Sequence, residues 1–202
     1  MQTQGVVMAM LVLGLLLFLG VHSSRIVAEG WRTRTIARVG PGAWKGIYTL
    51  VSIAGFVLIV WGYGQARQNP LVLWQPPRGM NHLAAVLMVV SFVLLVATYV
   101  PRNAIKAKLH HPMVLSVKVW ALAHLLANGT LADVLLFGTF LLWAVLNFRA
   151  ARQRDRSAGT TYPAGTLAGT AITVLVGLIV WAVFAFWAHQ WLIGVPPLAR
   201  AG

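Results

Sequence analysis

Two histidines within long apolar stretches are the residues of this chain best suited to hold a metal cofactor. His22 follows an N-terminal segment that contains no charge, and His124 lies in the sequence WALAHLLANG. Ionisable groups inside a bilayer are costly and therefore usually have a functional reason. Neutral imidazole is the commonest metal ligand in proteins. Because the chain has no cysteine, any metal or haem must be held by histidine or by a weaker ligand.

The predicted depths of the two histidines are compatible with one shared iron. His22 lies about 21 Å from the outer end of its predicted helix, and His124 lies about 17 Å from the inner end of its own. In a hydrocarbon core about 30 Å thick, the two levels differ by about 8 Å. A tilted haem could therefore take both as ligands, with His111 at the inner interface as an alternative partner for His22. Asn128 follows His124 by four residues and could orient its ring by accepting the second N–H.

The other ionisable side chains have simpler explanations. His22 and His124 themselves could instead be interhelical hydrogen-bond partners. His82 and His189 are predicted near the outer surface as interfacial residues, and Lys118 could extend its amine to the membrane surface. The cations expected near the inner face most simply enforce topology, and they would also suit haem propionates: Arg25, Arg102, Lys106 and Lys108.

Several classes of activity are disfavoured by the composition. The three acids all fall at or beyond predicted helix ends, which disfavours a hydrolase or intramembrane protease that depends on paired carboxylates: Glu29, Asp133 and Asp155. No glycine-rich loop follows a predicted strand, so a nucleotide-binding motif is not indicated. The net charge of +13 would suggest nucleic acid in a soluble protein, but here the cations separate apolar runs. We therefore expect a lipid bilayer as the partner, and no nucleic acid.

The elements that must position these residues are predicted to be membrane helices. Of the 202 residues, 59% are hydrophobic and 9% are charged, and the mean hydropathy is +0.77. Apolar runs of about 18 residues or more are typical of membrane spans. The sequence predicts an all-α, polytopic membrane helix bundle with about six transmembrane helices in a single domain over residues 1–202. The predicted spans are approximately 5–22, 44–62, 82–99, 112–126, 131–148 and 167–193.

Local sequence signals predict where these helices begin and end. Asn81 could cap the third helix, and Pro112 suits the first turn of the fourth. Asn128 and Gly129 stop that helix, and Thr130 with Asp133 forms a variant of the capping box. The segment from Arg152 to Pro163 resembles an exposed linker. Gly165 and Gly169 form a small-xxx-small pair that predicts close packing.

The distribution of cations predicts the orientation of the helices. Twelve Lys and Arg residues fall between helices 1 and 2, 3 and 4, or 5 and 6, whereas three fall on the opposite side. Cytoplasmic loops carry such an excess of cations. Both termini are therefore predicted to lie outside the cytoplasm, in a multi-pass protein of the bacterial inner membrane.

Two segments carry a resemblance to a known family. PRNAIKAKLHHPMVLSVKVWALAHLLANGT, together with GVHSSR, resembles the NnrU family of bacterial membrane proteins, which is named for its link to nitric oxide and nitrite reduction in denitrifiers. The chain is also similar to the plastid enzyme 15-cis-zeta-carotene isomerase, a haem b membrane protein. The resemblance implies haem b as cofactor and His22 and His124 as its ligands. His111 matches the family's His-Pro position.

The resemblance implies more than one function. The first is a haem b protein of nitrogen-oxide respiration, or a redox-dependent isomerase of a hydrophobic substrate. The alternative is a non-enzymatic accessory protein for assembling respiratory complexes. The plant enzyme has a proposed redox-switchable cysteine where this chain has Ala121, so the same ligand switch cannot operate. A weaker resemblance to membrane methyltransferases is limited to His110, His111 and Pro112, and lacks the Arg and Tyr of their motif.

Overall fold

The structure, a computed structural model, describes residues 2–198, and within them the chain is predominantly helical. We number the helices in chain order. They are α1 Gln2–Val27, α2 Glu29–Val39, α3 Pro41–Ala66, α4 Met80–Tyr99, α5 Ala104–Leu109, α6 Pro112–Ala127, α7 Leu131–Ala158 and α8 Leu167–Ile193. Two of them contain one π-helical stretch each, Val134–Gly138 in α7 and Phe184–Ala188 in α8. The helical membrane bundle that the sequence predicts is confirmed.

Most of these helices are long and apolar enough to cross a bilayer. Five meet the length and composition of a span, namely α1, α3, α4, α7 and α8, and α6 is apolar but has only 16 residues. In each of the five, no more than 28% of the most apolar window is buried inside the protein. So much exposed apolar surface would be unstable in water and is covered by lipid in a membrane. The chain is therefore a multi-pass membrane protein.

The helices group into two compact units. Within the described residues, the first contains 2–74 and 130–147, and the second contains 75–129 and 148–198. In the first unit, α1 and α3 pack closely because glycines lie at their contact. A side chain on Gly55 would come within 2.7 Å of the Phe18 nitrogen, and one on Gly62 would come equally close to Leu11. A single domain over the whole chain remains a prediction.

In the second unit, α4 packs against both α6 and α8. Ser91 and Ser116 are buried where α4 meets α6, and the Ser91 hydroxyl donates to the Ser116 carbonyl at 2.9 Å. On the other side of α4, Gly177 of α8 approaches Val93 so closely that a Cβ would lie 2.8 Å from its Cα. The contact between Ser91 and Ser116 holds α6, which carries His124, against α4.

Both glycines of the small-xxx-small pair, one just before α8 and one in its first turn, make a close backbone contact in the second unit, in line with the sequence prediction. A Cβ on Gly165 would clash with the Ala104 nitrogen, and one on Gly169 would lie 2.6 Å from the Arg102 carbonyl oxygen. Gly165→Ala must therefore displace backbone, and we expect it to lower the free energy of unfolding by about 1–3 kcal/mol. Thermal unfolding in detergent measures this, with Gly64→Ala as control because nothing lies within 4 Å of that position. Equal melting temperatures would contradict the close contact.

Several predicted helix ends are confirmed. The α6 helix begins at Pro112 and is capped at its end by Asn128. Thr130 and Asp133 form a complete capping box, in which each side chain binds the backbone of the other. The third predicted span differs, because α4 is capped by the left-handed Gly79 and Asn81 lies in its first turn.

The structure also corrects three segments predicted as connections. The first is α2, an amphipathic helix with no buried residue, and the second is the short helix α5. The third is the predicted linker from Arg152 to Pro163, because α7 continues as far as Ala158 before the chain turns. All three segments are too polar to be found by a search for apolar runs. The spacing of their charged residues is nevertheless compatible with a helix.

Candidate functional site

His22 lies near the end of α1 in aromatic surroundings of the first unit. Its ring stacks on Phe18 at 4.3 Å between centroids, and Tyr48 and Trp143 lie 5.1 Å and 6.2 Å away. The Nδ1 atom is 2.6 Å from the Phe18 carbonyl oxygen. A carbonyl only accepts, so Nδ1 carries the proton, and in the neutral ring Nε2 carries the lone pair.

His124 has the same local geometry in the last turn of α6, in the second unit. Its Nδ1 donates to the Trp120 carbonyl oxygen at 2.9 Å, and the Trp120 ring lies 5.4 Å from the imidazole. The expectation that Asn128 orients this ring is corrected. The Asn128 amide instead donates to the backbone carbonyl of His124 at 2.8 Å, and the carbonyl of Trp120 receives the ring N–H. Asn128 therefore secures the end of α6.

The chemistry of each of these two histidines fits a ligand of a haem iron. Ligating histidines almost always donate their second N–H to a carbonyl or carboxylate, which fixes the tautomer and the orientation of the ring. His22 and His124 each make that bond with the carbonyl one helical turn earlier. Both would thus present Nε2 to iron, and the rings beside them would limit access of water. Among residues 2–198, no three His, Cys, Asp or Glu side chains are placed to hold a bare metal ion.

The His111 side chain takes part in a different interaction, a hydrogen bond with Asp155. His111 is the N-cap of α6, and its Nε2 lies 2.8 Å from Oδ2 of Asp155. His110 and His111 have positive φ angles of 57° and 23°, which side-chain-bearing residues rarely adopt. Such backbone strain costs about 1–3 kcal/mol per residue and persists only where the surrounding contacts enforce it. The contact with Asp155 is one of these.

A polar cluster around Asp155, which we call the His-Pro cluster, supplies the other contacts. It consists of His110, His111, Arg152, Asp155 and Tyr162. The Tyr162 hydroxyl donates to Oδ2 of Asp155 at 2.9 Å, its ring stacks on His110 at 4.0 Å, and Arg152 donates to Nδ1 of His110. Burial and the hydrogen bond to Asp155 raise the pKa of the Tyr162 phenol. The cluster ties the start of α6 to the end of α7.

Sequence reasoning missed this cluster, although one signal was present. Asp155 is the single acid in a segment that also holds Arg149, Arg152, Arg154 and Arg156. An isolated acid within such a cationic segment indicates a specific polar contact. Its partners could not be identified because the segment was predicted to be an exposed linker.

The cluster yields a stability prediction for Asp155→Asn. Removing the charge weakens hydrogen bonds to two side chains that are mostly buried, so we expect a loss of about 1–3 kcal/mol in the free energy of unfolding. The turn between α5 and α6 at His110, His111 and Pro112, which we call the His-Pro turn, should also become sensitive to protease. Thermal unfolding and limited proteolysis in detergent measure both effects, with Glu29→Gln as control because exposed ion pairs contribute about 0–1 kcal/mol. If protease cleaves the turn of Asp155→Asn no faster than that of wild type, Asp155 does not hold the turn in place.

The remaining predicted residues lie as follows. Arg25 is 61% exposed at the end of α1 and forms an ion pair with Glu29 at 3.9 Å. The Lys118 amine lies 5.4 Å from the centre of the Phe148 ring, as a cation–π contact. His82 is exposed in the first turn of α4. His189, predicted as interfacial, lines a pocket of about 50 Å³ that His124 also lines.

Comparisons with known proteins place the chain in a family. The family model described as NnrU protein matches residues 10–197, which is nearly the whole chain. No curated protein and no solved structure matches it. The chain therefore belongs to the NnrU family, as the two sequence segments predicted.

Proposed function

We propose that this chain is a haem b protein of the bacterial inner membrane that acts in nitrogen-oxide respiration. The observation that supports the proposal is the matched geometry of His22 and His124. Both lie on apolar helices, and both fix the ring N–H on a backbone carbonyl, so that Nε2 is the basic atom. Membership of the NnrU family supports the link to nitrite and nitric oxide.

In this proposal, the protein orients the ligands and keeps their surroundings apolar. The carbonyls of Phe18 and Trp120 hold the two imidazoles in one tautomer. The rings of Phe18, Tyr48 and Trp143 exclude water around His22. When bound, haem would supply one-electron redox chemistry, and an external ligand could bind only if one of the two histidines left the iron.

Redox-dependent isomerisation of a hydrophobic substrate is a second form of the proposal. The pocket that His124 and His189 line has otherwise apolar or aromatic walls, but its volume of about 50 Å³ is too small for such a substrate. The position of the plant enzyme's switchable cysteine is occupied by Ala121, whose side chain is fully buried. An isomerase activity of this chain would therefore need a different way to free a coordination site on the iron.

The rival proposal is an accessory protein for respiratory complexes whose histidines only pack and form hydrogen bonds. Absorbance of protein purified from cells with ample haem separates the two. Our proposal expects a Soret band and a spectrum that changes on reduction, whereas colourless protein would favour the accessory role. A deletion strain tested for growth on nitrite or nitric oxide then tests the respiratory link. Normal growth on both would exclude it.

A further inference from the structure

Two buried hydrogen-bond donors in the first unit have no hydrogen-bond partner among residues 2–198, where the carboxylate oxygen Oε2 of Glu29 also lacks one. The two donors are the Trp143 indole Nε1 and the Ser52 hydroxyl. A buried donor loses its hydrogen bonds to water and therefore normally gains a partner in the protein or in a ligand. The indole N–H can only donate, so what it lacks is an acceptor.

Both groups belong to the surroundings of His22. The Trp143 ring meets the His22 ring nearly edge-on, at 6.2 Å and 83°. Ser52 lies one helical turn after Tyr48 on the same face of α3, and the Tyr48 ring is 5.1 Å from His22.

The packing register of α1 and α3 gives independent support. Gly62 approaches Leu11, and Gly55 approaches Phe18. The two helices run antiparallel, so His22, one turn beyond Phe18, is level with about residue 51 of α3. Ser52 therefore lies at the depth of His22 and not elsewhere along the helix.

The kind of ligand follows from the aromatic surroundings and the donors. Phe18, Tyr48 and Trp143 contribute flat faces and edges around His22, which suit a flat conjugated molecule. Both groups can donate to acceptor atoms on that molecule, such as oxygens. Haem b offers such oxygens as propionate carboxylates, and a quinone offers them as carbonyls.

We propose that Trp143 and Ser52 donate hydrogen bonds to the oxygens of a flat conjugated ligand bound against His22. If that ligand is haem b, the inference rests on the proposed function and names two further residues of its site. If the ligand is a quinone, the same residues form a separate site. The shared chemistry is an oxygen acceptor on a conjugated ring system.

The test titrates the purified ligand-free protein with haem b and, separately, with a short-chain ubiquinone. Trp143→Phe and Ser52→Ala are compared with Trp61→Phe, whose side chain on α3 is 57% exposed, and with Ser157→Ala, which is also exposed. We expect Trp143→Phe and Ser52→Ala each to bind the ligand of this site, either haem b or ubiquinone, about tenfold more weakly than wild type does. Loss of a buried hydrogen bond predicts an effect of this size. The two control variants should match wild type.

A spectroscopic measurement checks the hydrogen bond itself. The ultraviolet resonance Raman difference between wild type and Trp143→Phe isolates the signal of this indole from the other tryptophans. The Raman band that reports hydrogen bonding of the indole N–H should indicate a weak or absent hydrogen bond in ligand-free protein. After the ligand is added, the same band should indicate a stronger hydrogen bond. Circular dichroism and gel filtration verify that the variants fold, and Ser52→Ala removes only one hydroxyl.

The outcomes separate this inference from the proposed function. If haem binds wild type and both variants equally, and so does the quinone, the inference is wrong and the haem proposal stands. If haem does not bind but the quinone does, and the two variants weaken it, the haem proposal fails and the inference stands. If wild type binds neither ligand, both are wrong.

Discussion

His22→Ala and His124→Ala are each expected to abolish the haem spectrum of the purified protein, while His82→Ala keeps it. Changes to residues that only support a metal ligand cost about 10–100-fold in affinity, so loss of the ligand itself should cost at least as much. His82 is the matched control, because it is a histidine of an apolar helix whose side chain is exposed in the first turn. The measurement is haem content per protein, with oxidised and reduced spectra.

Misfolding could also remove the spectrum, so a rescue experiment accompanies the two variants. Alanine leaves space where the imidazole was, and free imidazole supplied during haem loading can occupy it. We expect a partial return of the spectrum in His22→Ala and His124→Ala, and no effect of imidazole in His82→Ala. If both variants keep the wild-type spectrum without imidazole, neither histidine is a ligand.

The membrane helices could be predicted from sequence because the bilayer imposes their length and composition. Pro112, Thr130 and Asp133 also marked helix ends correctly, since capping is decided by neighbouring residues. By contrast, α2 and the end of α7 were missed. Both are polar helices next to spans, and hydropathy alone does not distinguish such helices from loops.

Residues of the candidate site could be predicted only where the sequence places an ionisable side chain within an apolar helix. His22 and His124 stood out because a histidine within an apolar helix is costly. Asp155 and Tyr162 did not, because their roles depend on how the His-Pro turn folds back on α7. Trp143 is one of nine tryptophans, and nothing in the sequence indicates that its N–H lacks an acceptor.

Reporter fusions to truncated chains should give an all-or-none pattern that fixes the topology. Fusions after Arg34, Lys106 and Arg154 are expected to report a cytoplasmic position, whereas fusions after Arg78 and at the C-terminus report an external one. The physical reason is the concentration of Lys and Arg on one side of the apolar helices. Paired reporters, one active only in the cytoplasm and one only outside it, measure both states.

The fusions after Lys106 and Arg78 are the most informative pair, since α4 is the one candidate membrane span between them. That helix has 20 residues and the length of a full span, so the two reporters must differ. The C-terminal fusion then tests α6, which at 16 residues is about 24 Å long and shorter than a core of about 30 Å. If α6 does not span, the number of crossings changes from six to five and the C-terminus becomes cytoplasmic. His124 would then not lie at the depth that the sequence predicts, and the depth argument for it as a haem ligand would fail.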